Sequence, residues 1–234
     1  MSQYHDKRYP GESDQYRAAR DRLLAAEMSL RKQIEEVAAL RRRLPPGGKV
    51  PQDYVFEEGA ADPPDRKTVA RTKLSELFAP GKNSLIVYSF MYAPDDPTPC
   101  PMCTAFLDSL DGAAPHIDER VNLAVVAKAP IQAIRTWAAG RGWRRLHLLS
   151  SAGNSYNADY HAETPEGSQW PLMNVFRKTA AGIHHFYASE MFFADNEEGQ
   201  NPRHVDMLWP LWNALDLTPE GRGTDWYPKF AYDR

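Results

Sequence analysis

The chain has 234 residues with a formal net charge of -3, and 42% of its residues are hydrophobic. This length and composition allow one substantial α/β domain with extensions, or at most two small domains. The near-neutral charge argues against nucleic acid or an anionic membrane surface as a partner, and no run reaches the ~18 consecutive apolar residues of a membrane span.

The N-terminal part is predicted to be polar at first and then helical. The first fifteen residues contain no apolar run, so we expect no secretory signal and a cytoplasmic location. Residues 13–44 are predicted to form one long helix, which Ser13 or Asp14 can cap and which Pro45-Pro46 ends. Apolar residues recur at every seventh position of this helix, namely Tyr16, Leu23, Leu30, Val37 and Leu44. A helix with such a seam packs either on its own domain or on a second copy of the chain, as a homodimer.

The rest of the chain is predicted to form a connector, one α/β domain and a tail. We expect a helical extension at 1–48, a connector at 49–79, the domain at 80–217 and, at 218–234, an aromatic tail that packs on the body or on a partner. Within the connector we expect a short strand at 54–56 and a short helix at 72–78. The domain elements are predicted as strands 85–91, 121–127 and 146–149, helices 104–114 and 130–141, a hairpin of 172–177 with 183–187, and a last helix at 205–215. This alternation predicts a mostly parallel, helix-flanked sheet with an antiparallel edge from the hairpin.

The chain contains two cysteines, Cys100 and Cys103. A disulfide between them would close almost no loop, and in a reducing cytoplasm such a pair is typical of catalysis or metal binding. Cys100 lies where a helix begins after the buried strand 85–91, and the free N–H groups and dipole of that helix stabilise a thiolate. Cys100 is therefore predicted as the attacking nucleophile and Cys103, one turn later, as the resolving thiol. Pro101 suits the first helical turn.

A C-x-x-C motif that follows a buried strand and opens a helix resembles the motif of thioredoxin-like redox proteins. Such proteins place a cis-proline directly before the hairpin, facing the cysteine pair, and Trp170-Pro171 occupies that position here. Because an X-Pro bond is cis in only about 5% of cases, an ordinary trans proline stays open. The predicted substrate-contacting residues are Trp170, Pro171, Pro101 and Met102. Trp143 either lines the same groove or belongs to the core.

Other classes of function use the same thiolates or do without them. A structural zinc site needs four ligands, and the chain has no second cysteine pair. Copper(I) would accept the two thiolates and one further ligand, for which Met91, Met102, His184 and His185 are the candidates. The two histidines alternate across a strand, so both cannot easily bind one metal. A non-catalytic interaction module, assembled through the N-terminal helix, is a third alternative.

The residues before Cys100 limit the mechanism. Peroxide-reducing thioredoxin-like proteins carry Thr or Ser three residues before their cysteine and Pro seven residues before it. Pro97 and Ala93 stand at these positions, which argues against a peroxiredoxin mechanism. Asp95 and Asp96 are candidate proton acceptors, although acidic residues in a Pro-rich loop are usually only solvated.

Twelve stretches spread along the chain point to one family. They are residues 42–45, 53–56, 74–78, 85–91, 100–103, 110–113, 129–130, 142–143, 150–151, 157–159, 216–219 and 221–222. With them the sequence resembles the bacterial domain-of-unknown-function family 899, labelled as predicted dithiol–disulfide oxidoreductases of the thioredoxin-like class. The resemblance implies one thioredoxin-like domain with an N-terminal helical extension. From the cysteine pair we expect reduction or exchange of a protein or small-molecule disulfide or thiol, with no bound organic cofactor. Between 158 and 171 the sequence departs from the family pattern, which indicates a different substrate-facing surface.

Overall fold

The computed structural model describes residues 4–59, 67–195, 209–223 and 226–232. The chain divides into two compact units, Met1–Pro45 and Pro46–Arg234. No helix in the described part of the chain is both long enough and apolar enough to cross a membrane.

The first unit is built on one helix, α1 (Asp14–Arg42). Ser13 is its N-cap, and the Ser13 hydroxyl accepts a hydrogen bond from the backbone N–H of Tyr16 at 3.1 Å, as predicted. Arg17 lies between two carboxylates, those of Glu12 and Asp21. The predicted apolar seam, Tyr16, Leu23, Leu30, Val37 and Leu44, is exposed along its whole length.

The second unit contains a mixed sheet of seven strands, in the order β2-β1-β5-β4-β3-β6-β7. The strands are β1 (Val55–Gly59), β2 (Val69–Lys73), β3 (Ser84–Ser89), β4 (Asn122–Ala127), β5 (Leu148–Ser150), β6 (Met173–Thr179) and β7 (Gly182–Ala188). β3, β4 and β5 run parallel, and each remaining pair of neighbours is antiparallel. β3 is an interior strand, since Val87 pairs with Ala124 on one side and with Asn174 on the other.

Helices cover both faces of this sheet. They are α2 (Pro101–Asp118), α3 (Ile131–Arg141), α4 (Tyr156–Asp159) and α5 (Pro210–Leu215), with 3₁₀ turns at Leu74–Leu77 and Glu190–Phe192. Side chains alternate along β3, so Tyr88 joins the core under α2 and α3 while Val87 joins the core on the other face. The mixed sheet with helices on both faces confirms the predicted α/β class and its thioredoxin-like fold.

The segment at 49–79, expected to be a connector, instead contributes β1 and β2 to the sheet. β1 pairs with both β2 and β5, and Phe56 is buried in the core. The short strand expected at 54–56 overlaps β1 and is confirmed, but β2 was missed and the segment is part of the sheet rather than a connector. Both strands are short and carry charged residues on their exposed side, which weakens the hydrophobic pattern. Of the helix expected at 72–78, only the 3₁₀ turn Leu74–Leu77 forms.

The hairpin and the last helix agree with the prediction where the structure describes them. The hairpin forms between β6 and β7, and α5 covers the end of the helix expected at 205–215, whose first residues lie outside the described part. The aromatic tail packs on the body of the second unit. Phe230 meets Trp137 with ring centroids 5.0 Å apart, and Trp226 meets Trp212 at 5.9 Å.

Candidate active site

The cysteine pair lies at the junction of β3 and α2. After β3 the chain runs through a loop and returns, so that the backbone N–H of Cys100 donates to the Met91 carbonyl at 3.0 Å. Cys100 is the N-cap of α2 and Pro101 is its first residue. The N–H and the hydroxyl of Thr104 both donate to the Cys100 carbonyl, each at 3.0 Å. These hydrogen bonds hold Cys100 at the start of the helix.

The two thiols differ in exposure. Cys100 is half-buried, whereas Cys103 is 2% exposed and belongs to the core under α2. Both are free thiols. A reagent in solution therefore reaches Cys100 first, and Cys103 is accessible to little besides Cys100.

The surroundings of Cys100 favour its thiolate. Its pKa is lowered to about 6, chiefly because the Cys103 thiol hydrogen-bonds to it, and partial burial opposes this shift. The Cys100 side chain makes no capping hydrogen bond of normal length, but the nearby N–H groups of Met102 and Cys103 still help to lower the pKa. With this pKa of about 6, roughly nine in ten Cys100 side chains are thiolates at neutral pH.

Cys103 has the opposite tendency. Burial raises its pKa well above the ordinary value for a thiol, and the hydrogen bond to Cys100 and the charge of Cys100 raise it further. The hydroxyl of Tyr88 and the backbone N–H of Met91 act in the other direction, because both hydrogen-bond to the Cys103 sulfur. Cys103 therefore remains a protonated thiol as long as Cys100 carries a negative charge.

Tyr88 was not identified from the sequence as a site residue. It lies on β3, is 2% exposed, and packs its ring on Phe106 at 4.7 Å. In an apolar strand a tyrosine looks like a core residue. The available signal was its hydroxyl, since a buried tyrosine O–H usually requires a partner, and here the Cys103 sulfur takes that role.

The predicted substrate-contacting residues lie in two places. Pro101 is exposed and Met102 half-buried, both next to Cys100 in the first turn of α2. Leu172 accepts from the N–H of Ser89 at 2.8 Å, so the preceding Pro171 lies near the end of β3 and is buried. Among the described residues no peptide bond is cis, so Trp170-Pro171 is trans, the ordinary one of the two alternatives. The Trp170 ring stacks on Phe193 at 5.8 Å.

Other candidates from the sequence have structural roles. The Asp96 carboxylate accepts from the backbone N–H of Ala93 at 3.0 Å, and Asp95 is exposed. Trp143 is a core residue whose indole N–H donates to Asp108 at 2.8 Å. Asp96 and Trp143 thus stabilise the fold locally.

The histidines have partners away from the thiols. His184 contacts the Gly47 carbonyl at 3.2 Å, and the Nε2 atom of His185 lies 3.0 Å from the Asn174 side-chain oxygen. Within the described ranges, no three His, Cys, Asp or Glu side chains are grouped so that they could hold a metal ion.

The fold and the thiol pair at the start of α2 define a thioredoxin-like protein with a C-x-x-C motif. The chain belongs to the family described as bacterial protein of unknown function (DUF899), whose model matches residues 7–233. This confirms the resemblance noted from the sequence. No curated protein sequence matches the chain.

Several solved structures are similar in fold. The reduced 2-Cys peroxiredoxin of Plasmodium vivax is 20% identical with a TM-score of 0.47, covering 73% of this chain and 96% of its own. The peroxidoxin BcpB of Mycobacterium tuberculosis is 17% identical with a TM-score of 0.43, covering 70% of this chain and 94% of its own. An exposed lipoprotein thioredoxin of Streptococcus pneumoniae is 14% identical with a TM-score of 0.40, covering 65% of this chain and 96% of its own. These identities and scores are too low to transfer an activity to this chain.

Proposed function

We propose that this protein is a dithiol–disulfide oxidoreductase in which Cys100 attacks and Cys103 resolves. The observation that carries the proposal is the asymmetry of the pair. Cys100 is half-buried at the start of α2 with a pKa of about 6, and Cys103 is buried behind it with a raised pKa. Only a thiolate attacks a disulfide efficiently, so this asymmetry selects the order of the two steps.

In the first step the Cys100 thiolate attacks one sulfur of a substrate disulfide. A mixed disulfide forms, and the other substrate sulfur leaves as a thiolate that takes a proton from water. Cys100 has then lost its negative charge, which removes a cause of the raised pKa of Cys103. Cys103 now loses its proton to water and attacks the Cys100 sulfur. The bond between Cys100 and the substrate breaks, and the second substrate sulfur leaves as a thiolate that takes up a proton. The products are two substrate thiols and a Cys100–Cys103 disulfide, so the substrate gains the two electrons that the protein loses.

Pro101 and Met102 are proposed as substrate contacts because they adjoin the nucleophile on the accessible side of α2. Trp170 and Pro171 are proposed as a second contact, since the pairing of Leu172 with Ser89 places them at the same edge of the sheet. The substrate class is a protein or small-molecule disulfide or thiol, and we propose a cytoplasmic location. No organic cofactor enters these steps.

The reduction potential of the thiol pair tests the proposal. Purified metal-free protein is equilibrated with glutathione or dithiothreitol buffers, and free thiols are alkylated and counted by mass. We expect a two-electron transition between about -120 and -300 mV. The Cys103→Ser variant should accumulate a mixed disulfide with glutathione, and the Cys100→Ser variant should not.

A chain that forms no intramolecular disulfide across this range would contradict the exchange mechanism. Tight copper(I) or zinc binding by the same thiolates would then become the leading function. Normal function in the cell with both cysteines replaced by Ser would instead favour an interaction module.

The exposed seam of α1 is proposed as a homodimer contact. Its seven-residue spacing runs through a helix of 29 residues, which gives about four heptads for a coiled-coil partner. Analytical ultracentrifugation should find a dimer for the wild type and a monomer for Leu23→Lys/Leu30→Lys. A monomeric wild type at micromolar concentrations would contradict the dimer and leave the cysteine chemistry unaffected.

A further inference from the structure

Arg135, on α3, is a buried cation with incomplete pairing. The residue is 8% exposed. Its Nη1 atom donates to the Thr68 carbonyl at 3.2 Å, and its Nη2 atom has no hydrogen-bond partner. No carboxylate in the described ranges forms an ion pair with it. A buried charge without a counterion is strongly unfavourable, so a guanidinium in this state requires a compensating negative group.

The end of β1 is shaped to let this side chain pass. A Cβ atom on Gly59 would lie 2.2 Å from Cδ and 2.3 Å from Nε of Arg135, which is far inside van der Waals contact. A residue other than glycine would therefore displace the arginine. The missing side chain at Gly59 creates the space that the guanidinium occupies.

Arg135 lines a cavity of about 300 Å³ between α3, the end of β1 and the start of β5. Apolar side chains form part of its wall, namely Ala138, Ala139, Trp143, Leu146 and Leu148. Arg144, Arg145 and His147 also line it. A lining that combines positive charge with apolar side chains suits a compact amphipathic anion.

The carboxylates near this cavity already have ion-pair or hydrogen-bond partners other than Arg135. Glu58 lines it, but His147 lies 2.7 Å from its carboxylate and the Thr72 hydroxyl donates to it. Asp111 pairs with Arg145 at 3.4 Å. Arg135 and the exposed Arg144 remain as positive charges without a carboxylate partner in the described part of the chain, so the cavity has an excess of positive charge.

We propose that this cavity is a binding site for a small oxyanion, a carboxylate or phosphate group carried on a compact apolar body. The oxyanion accepts hydrogen bonds from the guanidinium and neutralises the buried charge, as planar arginine–oxyanion pairs do. The apolar body lies on Trp143 and the neighbouring alanines.

The site is distinct from the cysteine pair. The cavity lies at the amino end of β5, whereas Cys100 follows the carboxyl end of β3. In parallel strands these ends are at opposite edges of the sheet. Anion binding therefore does not depend on disulfide exchange, and either proposal can fail without the other.

Binding is tested with inorganic phosphate, phenyl phosphate and benzoate, each against chloride at equal ionic strength. Isothermal titration calorimetry on the full chain should show saturable binding of one or more probes, with phenyl phosphate tighter than inorganic phosphate because of the apolar wall. Preference for phenyl phosphate or for benzoate identifies the anionic group as phosphate or carboxylate. The Cys100→Ser variant should bind like the wild type.

Arg135→Gln should weaken binding at least about tenfold, as expected for the loss of a charged hydrogen bond. It should fold at least as well as the wild type, because an uncompensated buried charge is removed. Arg144→Gln should also weaken binding, and it decides the matter if Arg135→Gln does not fold. Arg120→Gln, an exposed arginine elsewhere, is the matched control and should bind normally.

The proposal is overturned if no probe binds the wild type more tightly than chloride. Asp62 and Asp65 lie between β1 and β2, outside the described residues, and an internal counterion among them would produce that result. It is also overturned if Arg135→Gln binds as tightly as the wild type, or if Arg120→Gln loses as much affinity, since binding would then follow net charge alone.

Discussion

Replacing Cys103 by alanine should make Cys100 a weaker acid. Hydrogen bonding from the Cys103 thiol is the largest cause of the low pKa of Cys100. The Ala variant removes that donor, and the Cys100 thiolate loses its stabilisation. The pKa of Cys100 should therefore rise, and its titration should move to higher pH.

The size of this shift follows from the strength of the hydrogen bond. A hydrogen bond to a charged group contributes about 1.5–3 kcal/mol, which corresponds to about one to two pKa units. From a starting value of about 6, the Cys100 pKa should reach about 7–8. At pH 6 the thiolate fraction would fall from about one half to between about one tenth and one hundredth.

The assay is alkylation by iodoacetamide over a range of pH, with the product measured by mass. Since the chain has two cysteines, each Cys103 variant reports Cys100 alone. The midpoint is compared rather than the rate, because a more basic thiolate is also more nucleophilic. Cys103→Ser keeps a donor at the same position and should shift the midpoint less than Cys103→Ala. If the wild type and both variants share one midpoint, the hydrogen bond from Cys103 does not set the acidity of Cys100.

Two further predictions concern Tyr88 on β3 and Asp111 on α2. Tyr88→Phe removes the hydroxyl that lowers the pKa of Cys103, so resolution of the mixed disulfide should slow by about 2- to 10-fold in stopped-flow measurements. An unchanged rate of resolution would contradict this role of Tyr88. Asp111→Ala leaves the three backbone N–H groups of Arg144, Arg145 and Leu146 without their common acceptor. Urea unfolding should show that the free energy of unfolding falls by at least about 1–3 kcal/mol. An unchanged unfolding midpoint would contradict this role of Asp111.

The features that the sequence predicted are those with a local signal. Three such features each depend on neighbouring residues in the sequence: the helix cap at Ser13, the buried strand β3 and the thiol pair at the start of α2. α2 extends beyond its predicted end because Pro115 lies on its exposed side. The neighbouring Ala114 stays buried and keeps the helix packed on the sheet.

The features that escaped prediction depend on distant parts of the chain. A short strand was predicted at 54–56, but its place in the sheet was not, because β1 pairs with β5, about ninety residues later. The contact of Tyr88 with Cys103 crosses from strand to helix. The cavity beside Arg135 requires Gly59 to meet α3, which no spacing along the chain reveals.

Many of the stretches that carry the family resemblance contain polar side chains that hydrogen-bond one loop to another. Asp53 accepts from the backbone N–H of Ser75 at 2.9 Å and joins β1 to the 3₁₀ turn. The Tyr54 hydroxyl donates to Asp159 at 2.7 Å. Such ties orient the loops at the edge of the sheet. The resemblance outside the cysteine pair therefore reflects the framework of the fold more than its chemistry.

One set of buried hydrogen bonds links the end of β5 to the segment before Pro171. The Ser151 hydroxyl donates to the Asn157 side-chain oxygen at 2.7 Å, and the Asn157 amide donates to Gln169 at 2.9 Å. Asn157 is 1% exposed. Asn157→Ala would leave the buried side-chain oxygen of Gln169 without its donor, whereas the Ser151 hydroxyl could still donate to the Ala127 carbonyl at 3.2 Å. We therefore expect a loss of about 1–3 kcal/mol in the free energy of unfolding. A typical domain has only about 5–15 kcal/mol to lose.

Urea unfolding followed by fluorescence measures this loss, and Ser155→Ala is the matched control. Ser155 also donates a side-chain hydrogen bond, to Asp159 at 2.7 Å, but it is exposed to water. Its replacement should cost less than about 1 kcal/mol, because water takes over the vacant partner. A double-mutant cycle of Asn157→Ala with Gln169→Ala should show coupling, since the two side chains are in contact. The reasoning would be refuted if Asn157→Ala and Ser155→Ala lost the same free energy of unfolding and the effects in the cycle were additive. Burial would then not strengthen the hydrogen bonds of Asn157, and the segment before Pro171 would be held by packing alone.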